Sequence, residues 1–350
     1  MTAKRTISRP AGRARQATSV AGLRRSPGRS GTATRNSAGR DVLRRPKTVA
    51  VPGQGEGPAL YLSHSSLVDW ELCPRLYHYR DVRKLACSSG GCTGTAAEWG
   101  TAVHRGLAAW HRHGDITVAC AATASHPFTP FGHLSSATAV RILEEYVGHY
   151  GPTDECMHPR WVEREFTVPV GSLIEKHLGR GIETRIVFCG TLDMVLAKDG
   201  QAIVVDHKTT GLSLDLWSHA QRVSAQWPGY VLGAHALTGL PCRRVVVNAI
   251  SNRKEAKPRF VRFDVIVDED AIAEWQRSVL AHASDILRAH ASDTWPLHRS
   301  SCARQWERPC EFFSVCELPC ASREKHLSRS ADIGPRRPGP TEKRIPLGLQ

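Results

Sequence analysis

The sequence predicts an α/β protein in which a mixed β-sheet is flanked by helices. Short stretches rich in Val and Ile are interspersed with longer stretches whose apolar residues recur at helical spacing. The dipeptide Asp199-Gly200 separates two apolar runs in the manner of a β-hairpin turn. Outside its two basic ends the chain has enough residues, 59–320, for one large domain. Together these features predict helices packed on a sheet.

Most of the predicted helices precede the strands. Tyr61–Tyr79 has helical spacing, and Ser65 or Ser66 is its expected N-cap. The other predicted helices are Ala96–His111, Ala137–Tyr150 and Ala271–His290. The predicted strands are Trp161–Val170, the two arms of the hairpin, Arg244–Ile250 and Phe260–Val267. A helical portion is therefore expected at the start of the folded domain.

The positive charge of the protein is concentrated at its two ends. The formal net charge is +14; residues 1–58 contain 13 Lys or Arg and two acids, and residues 321–350 contain seven and three. Both segments are poor in large apolar residues, so we expect disordered basic tails around a nearly neutral domain, 59–320. The N-terminal arm is expected to bind nucleic-acid phosphates without sequence preference. A cleaved organelle-targeting peptide is the alternative interpretation of its composition.

The predicted hairpin sets two aspartates opposite each other. With Asp199-Gly200 as a two-residue loop, counting outward along both arms makes Asp193 face Asp206. Because side chains alternate across a strand, both aspartates share a face with Lys208. The apolar residues of the hairpin are expected on the other face, so that one face is core and the other carries charge.

Two facing carboxylates suggest a bound cation. Like charges directly opposite on a sheet have Cβ atoms roughly 5 Å apart and repel each other. Mg²⁺ or Mn²⁺ prefers oxygen ligands of this kind and keeps water ligands for substrate phosphates. Lys208 would then orient the attacking water and stabilise charge on a phosphate. The alternative is an accidental pair of solvated aspartates.

Four motifs, in order, resemble those of one nuclease superfamily. Gly190–Asp193 and Val205–Lys208 resemble the GxxD and hydrophobic-DxK motifs of the PD-(D/E)XK nucleases. Gln226–Tyr230 resembles the QxxxY motif of the RecB-like branch, and Gly100–His104 resembles the helix of that branch that carries a histidine metal ligand. The resemblance covers most of the chain. It implies a restriction-endonuclease-like fold and metal-dependent cleavage of DNA.

The resemblance also implies a role for each residue of the site. His104, Asp193 and Asp206 would bind the metal ion. A further ligand in such sites is often a backbone carbonyl, which here would be that of His207. Lys208 would be catalytic, together with the two aspartates.

The QxxxY pair is expected on one face of a helix. Gln226 and Tyr230 are four residues apart and, by the resemblance, would contact the nucleic-acid backbone or support the catalytic site. Pro228 suits only the first turn of a helix, so this helix should begin near Ser224. Two further acids are candidates for supporting positions in the first strand of the sheet, Glu163 and Glu165.

A cluster of cysteines near the C-terminus suggests a second metal site. Cys302, Cys310, Cys316 and Cys320 fall within 19 residues, and we expect no disulfide framework because the first residues lack the apolar stretch of a secretory signal. With Cys73, the pattern resembles the four-cysteine iron-sulfur staple of RecB-like and CRISPR-associated exonucleases. This implies a [4Fe-4S] cluster on Cys73, Cys302, Cys310 and Cys316, with Cys320 as an alternative ligand and Zn²⁺ as an alternative occupant. The remaining cysteines are expected to be small buried hydrophobic residues: Cys87, Cys92, Cys120, Cys156, Cys189 and Cys242.

The sequence as a whole predicts a metal-dependent DNA exonuclease. Single-stranded DNA or free ends would be the substrate, helicase or recombination proteins are possible partners, and no membrane association is expected. DNA repair, recombination, phage replication and CRISPR adaptation are the processes considered, in the cytoplasm of a bacterial or phage-type system. Two other classes stay open: a non-catalytic DNA-binding adaptor on the same scaffold, and a zinc-stapled interaction protein.

Overall fold

The computed structural model of the protein has a six-stranded mixed β-sheet at its centre. The structure describes residues 58–87, 93–154, 159–177, 180–254, 259–302, 309–329 and 333–335. These residues belong to one unit of the chain, Val49–Gln350. The predicted basic arm lies outside the described residues except for its last one, so its disorder stays a prediction.

The described residues contain eight strands. They are β1 (Ala59–Leu62), β2 (Leu85–Cys87), β3 (Pro159–His177), β4 (Arg180–Lys198), β5 (Gln201–Thr210), β6 (Cys242–Ser251), β7 (Phe260–Ile266) and β8 (Ile333–Pro335). The central sheet has the order β1-β4-β5-β6-β7, and β3 pairs with β4. The β1–β4 and β5–β6 pairs are parallel and the others antiparallel, which confirms the predicted mixed sheet.

The long strand β4 has neighbours of different kinds on its two edges. One edge pairs with β3 along nearly its whole length. The other edge pairs with β1 through Arg185–Phe188 and with β5 through Met194–Lys198. Between these two ladders, among the described residues, the second edge of β4 has no strand partner. Asp193 lies at the end of this interval, directly before the ladder with β5 begins.

Helices surround the sheet, as the sequence predicts. They are α1 (His64–Leu72), α2 (Pro74–Tyr77), α3 (Thr93–His113), α4 (Ile116–Ala124), α5 (Ser136–Asp154), α6 (Leu214–Gln221), α7 (Gln226–Thr238), α8 (Glu269–Ser292), α9 (Phe313–Glu317) and α10 (Cys320–Arg329). Helices α3, α5 and α8 confirm the predicted helices at Ala96–His111, Ala137–Tyr150 and Ala271–His290. α4 and α6 were not predicted. No described helix has both the length and the apolar character needed to cross a membrane.

The first predicted helix is wrong at its start. Its first residues, Tyr61 and Leu62, belong to the strand β1, in which Leu60 and Leu62 are buried in alternation. The N-cap is Ser63 rather than Ser65 or Ser66, and it forms a reciprocal capping box with Ser66. The parallel pairing of β1 with β4 decides this, because a strand with a buried alternating face gains more from the sheet than from one extra helical turn.

Two other boundaries differ from the prediction. β3 and β4 extend well beyond Trp161–Val170 and Gly190, and they pair with each other down to His177 and Arg180. In the segment predicted as a disordered tail from residue 321, the structure has helix α10 and strand β8, which pairs with β2. The composition of this segment does not predict a strand. β8 forms because its backbone groups find hydrogen-bond partners in β2, which is distant in the sequence.

The sheet is covered on both faces. Val195 and Val204 belong to the main core with Trp227 of α7, whereas Met194 and Val205 belong to a second buried cluster on the opposite side. The prediction that one face of the hairpin carries only charge is therefore wrong. The reason is that β5 is a central strand with a parallel neighbour, and such strands are buried on both faces.

Candidate active site

The predicted hairpin turn forms with the predicted register. Asp199 and Gly200 have φ values of 50° and 74°, the left-handed geometry of a two-residue hairpin loop. Pairing then runs from Lys198–Gln201 to Met194–Val205. The ladder between these strands ends there, so the predicted Asp193–Asp206 pair does not form as ladder partners. Beyond this point β5 stays in register with β6 only.

Asp193 is held by a backbone group instead. Its Oδ2 accepts a hydrogen bond of 2.8 Å from the N–H of His207, the residue after Asp206. The same oxygen lies 3.5 Å from Nδ1 of His104 on α3. The two predicted ligands His104 and Asp193 are thus adjacent, although they come from a helix and a strand far apart in the chain.

Glu163 completes a group of three potential metal ligands. One ligand atom each from His104, Glu163 and Asp193 lies within 4.8 Å of the other two. Glu163 stands between the pairs Val162–Met194 and Arg164–Leu192 of the β3–β4 ladder, so it is opposite Asp193. The two acids that face each other are therefore Asp193 and Glu163. The backbone of Glu163 has a φ of 52°, which is uncommon for a glutamate.

The pKa values reflect the closeness of these groups. Burial opposes ionisation of Asp193, but the adjacent His104 imidazole brings its pKa below the usual range. Although the Glu163 residue as a whole is exposed, partial burial of its carboxyl and the charge of Asp193 raise its pKa to about 7. Burial lowers the pKa of His104, but Asp193 more than compensates and the net shift is upward. Glu163 must therefore release its proton to bind a cation, so binding of a cation there would depend on pH.

Buried Asp206 and half-buried Lys208 form an ion pair beside this group. Lys208 Nζ lies 2.9 Å from Oδ1 and 2.7 Å from Oδ2 of Asp206. Asp206 is 1% exposed, and burial and the charge of Asp193 raise its pKa to about 6 against the opposing effect of Lys208. The lysine ammonium also lies 5.7 Å from the ring centre of Trp227. The structure thus brings together four predicted residues, His104, Asp193, Asp206 and Lys208.

Helix α7 brings the QxxxY pair to the same place. It begins at Gln226 with Pro228 in its first turn, which confirms the predicted start near Ser224. Burial raises the pKa of the Tyr230 hydroxyl, against the opposing effect of the nearby Lys208 charge. The ring of Tyr230 packs edge-on against Phe166, 5.7 Å between centres.

Some predicted residues lie elsewhere, and one was missed. Glu165 pairs with Thr191, two residues before Asp193, and is not one of the three converging ligands. His64 lies in the first turn of α1, near Lys208. Burial and, to a lesser extent, the charge of Lys208 lower the pKa of His64 to about 4. Its position could not be read from the sequence, because it is one of 17 histidines and has no spacing relation to the other motifs. The role of the His207 carbonyl as a ligand stays a prediction.

The residues present fit a divalent cation such as Mg²⁺ or Mn²⁺. Two carboxylates and an imidazole converge within a few ångströms, next to the ion pair of Asp206 and Lys208. Such mixed oxygen and nitrogen donors suit hard divalent ions, which need only one or two carboxylates from the protein.

Four of the predicted cysteine ligands meet in a pocket away from this site. Cys73, Cys302, Cys310 and Cys316 all line it, together with Tyr79 and Phe312 among others. All four are free thiols. Cys320 is exposed, does not line the pocket, and accepts a hydrogen bond of 3.2 Å from Arg323. The structure therefore separates the alternative ligand from the other four.

The other cysteines were expected to be buried. Cys189 and Cys242 are buried, and Cys120 is half-buried. Cys92 and Cys156, and the side chain of Cys87, lie outside what the structure describes.

The solved structures that this chain matches at low identity include named exonucleases. A protein from Eubacterium rectale, provisionally named an exonuclease, is 13% identical, with a TM-score of 0.44 over 73% of this chain and 92% of that chain. An alkaline exonuclease from Laribacter hongkongensis is 14% identical, with a TM-score of 0.22 over 56% of this chain and 98% of that chain. No curated protein sequence is similar enough to be counted as a relative.

A protein-family comparison gives the assignment. The model of the PD-(D/E)XK nuclease superfamily matches residues 61–317, well over half of the chain. This range contains the hairpin with Asp193, Asp206 and Lys208, the helix with His104, and the four pocket cysteines. The chain belongs to the PD-(D/E)XK nuclease superfamily.

Proposed function

We propose that this protein is a metal-dependent DNA exonuclease of the RecB-like branch, which hydrolyses phosphodiester bonds at DNA ends and favours single strands. The observation that carries the proposal is the convergence of His104, Glu163 and Asp193 beside the Asp206–Lys208 pair. The exonuclease mode rests on the resemblance of the Gln226–Tyr230 and Gly100–His104 motifs to those of that branch.

His104, Glu163 and Asp193 would hold a Mg²⁺ or Mn²⁺ ion, with Asp206 as an adjoining carboxylate. A divalent ion in such a site supplies Lewis-acid activation of water and neutralises charge on the phosphate. The His207 N–H fixes one carboxylate oxygen of Asp193, which leaves the other for a cation.

Lys208 is the group placed to serve the reacting phosphate. Its ammonium is fixed by Asp206 and by the face of Trp227, so its position is set before the substrate binds. A cation fixed in this way stabilises the negative charge that develops on the phosphate oxygens and orients the attacking water. Gln226 and Tyr230, on the helix beside it, would contact the DNA backbone.

A [4Fe-4S] cluster in the cysteine pocket is part of the proposal. Four free thiols line the pocket, and both a [4Fe-4S] cluster and a tetrahedral zinc ion take four cysteine thiolates. The cluster is proposed over zinc because the cysteine pattern resembles that of the RecB-like exonucleases. Its role would be structural, since the cysteines are remote from the ligands of the divalent ion in sequence and belong to a separate pocket.

The test is digestion of end-labelled linear single- and double-stranded DNA, and of internally labelled circular single-stranded DNA, with Mg²⁺ or Mn²⁺. We expect loss of label from linear DNA, preferentially single-stranded, and no cutting of circles. Asp193→Asn and Lys208→Met should each lower the rate by at least about 100-fold, whereas the exposed neighbour Glu165→Gln should not. Equal rates for the parent and Lys208→Met would refute the proposed site, and cutting of circles would refute the exonuclease mode.

Such an enzyme would act inside the cell, in DNA repair, recombination, phage replication or CRISPR adaptation. DNA binding without any turnover by the parent protein would instead identify the non-catalytic adaptor considered from the sequence.

A further inference from the structure

A row of polar side chains crosses three strands behind the candidate active site. His207 on β5 is the register partner of Asn248 on β6, and Asn248 is the register partner of Arg262 on β7. Cross-strand partners point to the same face of a sheet, so the three side chains form one continuous row. Asp206 and Lys208 alternate with His207 and therefore point to the opposite face. His207 and Asn248 are 3% and 1% exposed.

The hydrogen bonds along this row have a defined direction. Arg262 can only donate, so the atom of Asn248 that it contacts must be the amide oxygen, Oδ1. The amide nitrogen of Asn248 then faces His207 and donates to its Nδ1 over 3.2 Å. This requires a neutral His207 ring with its proton on Nε2. Burial lowers the pKa of His207, in agreement with a neutral ring.

Two helices hold the ends of the row. Arg262 forms an ion pair of 2.9 Å with Asp154 at the end of α5, and its guanidinium lies 3.9 Å from the ring centre of Tyr150. At the other end, the ring of His111 on α3 stacks on His207 with 5.4 Å between centres and 18° between planes. Helix α3 also carries His104, seven residues earlier, on about the same face.

We propose that the row of His207, Asn248 and Arg262 is a positioning device for the metal-binding group. It fixes the His207 peptide, whose N–H holds the Asp193 carboxylate, and through His111 it fixes the helix that presents His104. In this role the three side chains act through the positions of Asp193 and His104, because they lie on the face of the sheet opposite Asp206 and Lys208. The inference rests on the proposed function, because it assigns these residues to the same divalent-ion site.

Such outer contacts have a measurable effect on a metal site. Groups that orient a ligand are typically worth about 10–100-fold in metal affinity. A purely structural role would lower the stability of the protein without changing the affinity of its folded form for the ion. Mn²⁺ affinity, measured by the loss of the free-ion paramagnetic resonance signal, distinguishes the two roles.

The first comparison uses Asn248→Leu, Asn248→Asp and Val245→Ala in the full chain. Asn248→Leu removes both contacts, and we expect Mn²⁺ affinity to fall by about 10–100-fold. Asn248→Asp keeps an oxygen for Arg262 and can accept a proton shared with His207, so its affinity should stay close to that of the parent. Val245→Ala, a fully buried position on the main-core side of the same strand, should lower stability but not the affinity.

A second variant keeps the test decisive if Asn248→Leu fails to fold. Arg262→Lys retains the charge opposite Asp154, but one ammonium cannot donate to all the acceptors that the guanidinium reaches. We expect this variant also to bind Mn²⁺ more weakly. Unchanged affinity in the folded variants, or an equal loss in Val245→Ala, would overturn the positioning role. If the parent itself bound no Mn²⁺, both the proposed function and this inference would fail. That result differs from one in which the parent binds Mn²⁺ and only the comparison among the variants goes against the positioning role.

Discussion

Glu163 and Glu165 lie two residues apart on one strand, but only Glu163 joins the candidate metal-binding group. Both are candidates from the sequence, because both lie in the first predicted strand. In the structure Glu163 meets His104 and Asp193, whereas Glu165 pairs with Thr191 and is not among the converging ligands. Which of the two lies opposite Asp193 depends on the register of β3 with β4, which contains two irregularities.

This pair provides a matched test of the third ligand. We expect Glu163→Gln to weaken Mn²⁺ binding by at least about 10-fold, because it removes one of the converging charged donors. Glu165→Gln makes the same chemical change two residues away and should leave the affinity unchanged. The measurement is a Mn²⁺ titration of each variant; equal affinities for the two would exclude Glu163 as a ligand.

The raised pKa values of Glu163 and Asp206 predict a pH-dependent effect of the cation on stability. Their values, about 7 and about 6, exceed the ordinary 4.5 and 3.8, so the stability that their protonated forms supply is lost as pH rises through this range. A cation binds the deprotonated forms and offsets the loss. The pKa of Asp193 is shifted downward instead, so its effect on stability falls at pH values below this range.

The expected result is a larger increase of Tm by Mn²⁺ at about pH 8 than at about pH 5.5. Thermal unfolding with and without Mn²⁺ at both pH values measures it. In Glu163→Gln the difference between the two pH values should shrink. An increase of Tm that is larger at the lower pH would contradict the assignment of these carboxylates to the cation.

At the scale of elements, helix α7 reaches its position because two of its glycines allow a close approach to the sheet. A Cβ at Gly229 would lie 2.3 Å from the Phe188 ring, and one at Gly233 would lie 2.4 Å from the Phe166 ring. Contacts this short are not tolerated without movement of the helix. The approach sets Tyr230 close to Lys208, so packing and the site depend on the same two positions.

Gly233→Ala should therefore destabilise the protein by about 1–3 kcal/mol and lower nuclease activity as well. The control is Gly148→Ala in α5, where a Cβ would meet no atom within 4 Å. Because glycine is unfavourable inside a helix, this control should stabilise the protein by about 0.5–1 kcal/mol. Urea unfolding measures the free energy of unfolding of both variants. If Gly233→Ala were stabilised, as we expect for Gly148→Ala, helix α7 could move away from the sheet without cost.

At the scale of the whole molecule, the cysteine pocket joins the two ends of the folded domain. Cys73 follows α1, whereas the other three cysteines of the pocket lie more than 200 residues later, two of them before α9 and the third within it. A shared metal group would cross-link this long loop, and in the loop-closure model long loops gain the most from such a link. The proposed cluster would thus stabilise the arrangement of the helices at the start and the end of the domain.

Cysteine substitutions test this cross-link. We expect Cys310→Ser to abolish the brown colour of anaerobically purified protein and to lower its Tm, because one of four thiolate ligands is lost. Cys320→Ser changes an exposed thiol outside the pocket and should keep colour and Tm. Colourless parent protein that contains zinc would instead establish Zn²⁺ as the occupant.

The basic N-terminal arm is a second property of the whole chain. Residues 1–58 contain 13 Lys or Arg, so their removal should weaken DNA binding and flatten the dependence of log K on log salt, by about 0.7–0.9 per lost phosphate contact. Replacement of these residues by Gln at constant length is the control for the length of the arm. DNA binding by Lys208→Met without divalent ions measures the slope; an unchanged slope would exclude the arm from the interface.

The sequence by itself determined the chemistry of the site and the short-range structure around it. The hairpin turn, the start of α7 and the Asp206–Lys208 neighbours all follow from spacing within a few residues, and they depend on local backbone geometry, which the residue types fix directly. The pairing of His104 with Asp193 follows from the ordered motifs of the resemblance and not from local geometry.

Only the tertiary structure decided which further groups join the site. The separation of β4 from β5 before Asp193, the meeting of Glu163 with Asp193, and the approach of His64 to Lys208 all require strands and helices distant in sequence to come together. Their relative register is set by burial on both faces of the sheet and by local irregularities, and a shift of one residue would turn each side chain to the other face. No spacing in the sequence contains that information.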